Sequence, residues 1–134
     1  MDQVILLRIV TPDRQVVHED VEEVQACARE GYLGILPGHA PLLSELKPGE
    51  MIYRKGKDLR HLAVGGGFLE VLPEQVTVLA ETAELPEDIN IDRAQSAKER
   101  AEQRLKSPDP EVDLNRASVA LQRALIRLQV ASRR

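Results

Sequence analysis

Residues 75–105 read QVTVLAETAELPEDINIDRAQSAKERAEQRL, and their hydrophobic period changes partway through. In QVTVLA apolar and polar side chains alternate, which is the period of a half-buried strand. Beyond LPED the alternation stops: Ala94, Ala97, Ala101 and Leu105 step by three and four, the spacing of one helix face. The chain therefore divides near residue 85, and two different architectures are expected on either side.

Upstream, VILLRIV, VEEVQA, LGIL, PLLSEL, MIYR, HLAV and FLEVL are short apolar or alternating runs. Between them lie TPDR, EG, PGHAP, KPGE, RKGKD, GGG and LPEQ, rich in the residues that turn a chain. Short strands punctuated in this way predict an antiparallel β-sandwich or barrel over residues 1–85. GGGF at 65–68 joins two apolar runs and is read as a tight strand connection. Tyr32, Tyr53 and Phe68 are the chain's only aromatic residues, so Val, Leu and Ile must fill the core. The single cysteine, Cys27, cannot form an internal disulfide, and EEVQACARE reads as a strand in which the thiol is a small buried hydrophobe. MDQVILLRIVTPD has a short apolar run without a basic flank, so neither a signal peptide nor a membrane span is expected. Any association with a membrane is expected to pass through a partner protein.

Downstream, residues 86–134 predict an antiparallel pair of helices broken at KSPDPEVD, with Asp109 or Asp113 capping the second helix and Pro110 in its entry. In that helix Leu114, Leu121 and Leu128 recur every seven residues, and so do Ala117, Ala124 and Ala131. An alanine seam removes little apolar surface from water at about 0.8 kcal/mol per buried methylene, so the hairpin is expected to be marginal, able to dock or detach.

The net charge of −4 conceals an asymmetry: residues 1–86 hold 14 acidic and 8 basic side chains, whereas residues 87–134 hold 8 acidic and 10 basic. After Asp113 there is no further acid, yet Arg116, Arg123, Arg127, Arg133 and Arg134 follow. Arg123 and Arg127 lie four apart, a like-charge spacing that costs an isolated helix a few tenths of a kcal/mol, about 0.2–0.5. Three neutralising groups suggest themselves: Glu99 and Glu102 of the first helix, a phosphate ligand, or an acidic partner protein. Arg93 and Arg100 share a face of the first helix. Convergence of these two with Arg123 and Arg127 would suit a polyphosphate through bidentate, charge-assisted hydrogen bonds. A nucleic-acid partner is disfavoured by the acidic balance and the lack of aromatic residues beside the arginines. No GxxxxGK[ST] loop is present, His18, His39 and His61 lack ligand spacing, and no Ser or Cys has the surroundings of a nucleophile. Neither an enzyme nor a metal site is therefore expected.

GYLGILPGHAPLLSELKPG (31–49), VGGGFLEVLPEQVTVLAETAE (64–84) and DRAQSAKERAEQRL (92–105) resemble, in order and spacing, the epsilon subunits of bacterial F-type ATP synthases. The resemblance runs nearly from end to end. It implies an N-terminal sandwich of about ten strands that binds the gamma subunit and the c-ring, followed by a regulatory two-helix domain. The protein would be a peripheral, non-catalytic part of the rotor on the cytoplasmic face of the cell membrane, coupling proton flow to ATP synthesis. The loop matching residues 31–39 would face the c-ring, with Gly31, Tyr32, Gly34, Gly38 and His39 as its contact positions. Tyr32 stands where an acidic residue is often found in the family.

The resemblance also implies two states of the helices, a hairpin and an extended form in which Arg116, Arg123 and Arg127 meet an acidic segment of the beta subunit and inhibit ATP hydrolysis. Some family members bind ATP on the hairpin through a motif resembling I-D-x-x-R-A. Here that motif falls on Ile89, Asn90, Arg93 and Ala94, with Glu84 upstream and Arg100, Arg123 and Arg127 as the matching arginines. Asn90 replaces the motif's Asp, and Asp92 lies two residues too late to substitute for it. Asn90 still offers hydrogen bonds to an adenine edge. ATP is accordingly a candidate regulatory ligand, with or without Mg²⁺, and no cofactor is required. A free-standing ATP-binding regulator and a passive assembly adaptor are the alternatives.

Overall fold

The structure, a computed structural model, describes residues 3–134, and among these described residues lie ten strands and two α-helices. The strands are β1 (Ile5–Val10), β2 (Gln15–Val21), β3 (Glu23–Ala28), β4 (Gly31–Ile35), β5 (Leu42–Leu46), β6 (Gly49–Lys55), β7 (Asp58–Val64), β8 (Gly67–Val71), β9 (Gln75–Ala80) and β10 (Ala83–Glu84). A 3₁₀ turn at Pro86–Asp88 leads to α1 (Ile91–Leu105) and α2 (Leu114–Ala131). The chain separates into two compact units, one ending at Glu84 and the other spanning Leu85–Arg134.

In the first unit the strands form one hydrogen-bonded ladder in the order β10-β7-β6-β3-β5-β8-β9-β1-β2, with β4 paired to β3. The alternation of Ile5, Leu7 and Ile9 on β1, of Val76 and Val78 on β9, and of Leu69 and Val71 on β8 sends these side chains into one core. Val24, Ala26, Met51, Tyr53 and Leu62 bury the inner face of β3, β6 and β7. Far along the ladder, β2 returns to β6. The Tyr53 hydroxyl donates to Glu19 at 2.9 Å, Lys55 reaches the same carboxylate at 3.2 Å, and the Gly56 N–H donates to Glu22 at 2.7 Å. These contacts fold the sheet onto itself as a sandwich.

The all-β sandwich is as expected, but three details differ from the pattern reading. β1 runs parallel to β9, not antiparallel, with Leu6–Val10 facing Gln75–Leu79. QVVHEDV, absent from the runs read as strands, is a full strand: Val17 and Val21 are buried, Glu19 between them turns in to Tyr53, and His18 and Asp20 face out. Cys27 lies on β3 and is only half-buried. The strand connection at 65–67 needs its glycines: at Gly67, with φ of +140°, a Cβ would sit 2.1 Å from the Leu79 carbonyl oxygen.

In the second unit, Asn90 caps α1 by accepting the Arg93 N–H at 3.1 Å, and Asp113 caps α2 by accepting the Arg116 N–H at 3.0 Å. Asp109 instead accepts the Glu111 N–H at 2.9 Å, holding the turn between the helices together with Pro110. The seam of the hairpin is alanine: Ala94 and Ala101 on α1, and Ala117, Ala124 and Ala131 on α2, are buried with Val130. The leucine heptad is not the buried stripe, since Leu114 is 53% exposed and Leu105, at the end of α1, is 36% exposed. Among the described residues no helix is long and apolar enough to cross a membrane.

Candidate functional site

α1 and α2 together form an open cleft of about 360 Å³, within the size range of small-molecule sites. α1 contributes Asp92, Arg93, Ser96, Ala97 and Arg100, and α2 contributes Arg127. The helical repeat explains the grouping. Arg93, Ala97 and Arg100 follow steps of four and three, and Asp92 and Ser96 lie one helical position to the side. The small side chains of Ser96 and Ala97 leave the floor open, while three guanidiniums and one carboxylate stand around it. Three forks of N–H donors around a hollow are suited to phosphate oxygens.

The other positions matched to the nucleotide motif lie elsewhere. Ala94 is buried in the seam, and Ile89 is buried with its carbonyl accepting a hydrogen bond from the Arg134 guanidinium. The Asn90 Oδ1 is occupied as the helix cap, which leaves the amide nitrogen as that side chain's donor for any ligand. Arg123, exposed on α2, does not line the cleft with Arg127 although the two share a helix face; four residues carry it about 6 Å along the axis. Arg116 is exposed in the first turn of α2. Glu84 belongs to β10, in the first unit, where it pairs with Ala63. Ser96 is a cleft residue that sequence reasoning passed over, and Asp92 was weighed only as a replacement for the motif's acid; the signal for both was their i, i+4 spacing beside Arg93 and Arg100.

In the first unit the segment 31–39 is not one loop. Gly31, Tyr32 and Gly34 lie on β4, with Tyr32 opposite Cys27, while Gly38 and His39 form the following turn. Gly38 adopts φ of +85°, its N–H donates to the Pro73 carbonyl at 2.8 Å, and the His39 ring nitrogen Nδ1 lies 2.7 Å from the Ala40 carbonyl. The Gly38 bond ties this turn, which follows Leu36, to the β8–β9 turn at Leu72–Pro73; Leu36 and Leu72 are exposed, as is Tyr32, 68% exposed, at the other end of β4. Partial desolvation, followed by the negative potential of Cys27 and Glu50, holds the Tyr32 phenol above its ordinary pKa. Nearby, buried Glu50 lies 3.0 Å from the His61 ring nitrogen Nδ1. Among the described residues no cluster of three or more His, Cys, Asp or Glu could hold a metal ion.

Comparison with known proteins gives one consistent picture. The beta-sandwich domain of the ATP synthase delta/epsilon chain matches residues 4–86, and the long alpha-helix domain of the same chain matches residues 87–132. The ATP synthase epsilon chain of Syntrophobacter fumaroxidans is 49% identical over 133 residues, covering 99% of each chain. That of Halalkalibacterium halodurans is 51% identical over 128 residues, covering 95% of this chain and 96% of its own. Among solved structures, a chain of the Euglena gracilis mitochondrial ATP synthase matches with a TM-score of 0.82 at 26% identity, over 96% of this chain and 81% of that one. A chain from the central stalk and c-ring of the Tetrahymena thermophila enzyme shares the fold, with a TM-score of 0.59 at 16% identity over 98% of this chain and 96% of that one.

Proposed function

Because the chain belongs to the ATP synthase delta/epsilon chain family, we propose that it works as the epsilon subunit of the central rotor stalk in a proton-translocating ATP synthase. It has no catalytic site of its own in this reading. The sandwich binds the gamma subunit and rests against the c-ring through β4 and the turn after it, residues 31–39, so the protein is peripheral to the cytoplasmic face of a bacterial membrane. The exposed side chains of Tyr32 and Leu36 along this segment favour a protein contact there.

The helices are the regulatory part. The observation that carries this half is the cleft built from both helices at once. A ligand held between Arg93 and Arg100 on one side and Arg127 on the other binds only while the hairpin is closed, so it draws the population to that state. ATP, with its chain of phosphates, suits the three guanidiniums. When the hairpin opens, Arg116, Arg123 and Arg127 become the cationic edge that meets an acidic segment of the beta subunit and inhibits hydrolysis. Arg127 serves both states, which makes nucleotide and acidic segment competitors for it.

Two measurements test the proposal. Calorimetric titration of ATP and of ADP into the protein, with and without Mg²⁺, is expected to give saturable binding that favours ATP. No heat up to millimolar ATP would remove nucleotide sensing. ATP hydrolysis by the assembled complex is expected to rise when the chain is ended after residue 86; unchanged hydrolysis would leave a passive adaptor.

A further inference from the structure

The cleft is not uniformly cationic. Asp92 lines it together with Arg93, Arg100 and Arg127, and a carboxylate among phosphate-binding guanidiniums needs a reason. Near a triphosphate it repels the ligand, so a site that recognised phosphate alone would be better with a neutral residue there. A carboxylate does, however, accept hydrogen bonds from vicinal hydroxyls, the role an acidic residue performs at the ribose in dinucleotide sites.

The spacing along α1 gives the cleft a direction. From Asp92 to Arg100 is eight residues, which at 1.5 Å per residue is about 12 Å of helix axis. That is roughly the reach of an extended ribose-triphosphate, with the acid at one end and a guanidinium at the other. Ser96 and Ala97 lie between them and keep the intervening floor low enough for a chain of atoms to pass.

Resting on the reading of this cleft as a nucleotide site, we propose that Asp92 is its ribose-recognising residue: its carboxylate accepts from the sugar hydroxyls while Arg93, Arg100 and Arg127 hold the phosphates. The site thereby selects ribonucleoside triphosphates over their 2′-deoxy counterparts and over bare polyphosphate. Asp92 supplies by hydroxyl recognition what Asn90, engaged as the helix cap, does not.

The test is a set of calorimetric titrations on the full chain with three probes: ATP, 2′-deoxy-ATP and inorganic tripolyphosphate. The unaltered protein is expected to bind ATP about tenfold more tightly than 2′-deoxy-ATP, the discrimination of one charge-assisted hydrogen bond. In Asp92→Asn that ratio should fall towards one, with ATP weakened and tripolyphosphate unchanged or tightened. Asp92→Glu, which keeps the charge in the first helical turn and displaces the carboxylate by one methylene, should also lose discrimination while leaving tripolyphosphate affinity as it was. ATP and tripolyphosphate shifting together in the same direction would overturn the proposal and make Asp92 a general electrostatic brake or an ion-pair partner of the arginines. A preference between ATP and 2′-deoxy-ATP that survives both substitutions would overturn it as well. If the unaltered protein binds no ATP at all, the nucleotide reading of the cleft itself fails, an outcome distinct from the others.

Discussion

At the scale of single residues, position along a helix decides which arginine does what. Arg127 lines the cleft and Arg123, one turn away, does not. Arg93→Ala or Arg127→Ala is therefore expected to weaken ATP binding by about tenfold or more, the loss of a charge-assisted hydrogen bond, whereas Arg123→Ala should change it by less than about threefold. Calorimetry on the three variants checks the order; equal losses in all three would place the phosphates elsewhere. In the sandwich, Glu19 is the residue whose titration matters. The hydrogen bond from Tyr53, aided by Lys55 and Arg60 against a counteracting desolvation, holds its carboxyl below the ordinary value of 4.5. A carboxyl with a lowered folded pKa contributes stability that is complete above 4.5 and disappears as pH falls through the folded value. Urea midpoints measured from pH 7 downward should accordingly drop less steeply below pH 4.5 in Glu19→Gln than in the unaltered chain. Parallel acid slopes would show that the contact does not couple β2 to β6.

At the scale of elements, the helical hairpin is held by little. Its five buried alanines contribute one methyl group each, so the seam alone gains only a few kcal/mol, about 0.8 for each carbon removed from water. A polar clamp supplements it: the Arg134 guanidinium donates to the Pro86 carbonyl at 2.9 Å and to the Ile89 carbonyl, tying the segment after α2 to the entry of α1 across 48 and 45 residues of sequence. Arg134→Ala is expected to remove about 1–2 kcal/mol from the closed hairpin, read as roughly tenfold faster amide exchange through α2 with exchange in the sandwich unchanged. Unaltered α2 exchange would mean that the alanine seam suffices. The hairpin and its alanine seam were legible, because the period changes at one place and Ala117, Ala124 and Ala131 repeat every seven residues; what the sequence did not show was that Leu114, on the same heptad period, stays exposed. Among the strands, β2 was hidden because His18, Glu19 and Asp20 are consecutive polar residues, and β10 because two residues carry no period. The parallel β1–β9 pair was hidden for a different reason, since alternation along a strand records which side chains are buried and nothing about the neighbour's direction. In the cleft, the arginines drew attention by their excess charge. Ser96 did not, and Asp92 did so only as a misplaced motif acid, because one acid and one serine on a solvated helix are ordinary until a neighbouring helix makes a hollow over them.

At the scale of the whole molecule, the two units differ in how they resist unfolding, and that difference can be measured. The sandwich has a core of Ile, Leu, Val and Met side chains spread over nearly all of its strands, whereas the helical unit is closed by methyl groups, one valine and a clamp. Heating the full chain is expected to give two transitions, helix signal being lost first and sheet signal later. A ligand that needs both helices stabilises only the first. At a free ATP concentration of ten times its Kd, the shift for one site is RT ln(1 + 10), about 1.4 kcal/mol, so the helical midpoint should rise by several degrees while the sandwich midpoint stays where it was. Circular dichroism followed at helix and sheet wavelengths, with and without ATP, separates the outcomes. A rise in both midpoints would place the nucleotide on a surface the two units share, and a rise in the later transition alone would place it in the sandwich. A rise confined to the helices ties nucleotide binding to the closed hairpin by thermodynamic linkage. The free energy that ATP adds to that state is then also the free energy an acidic partner must overcome to draw Arg127 away.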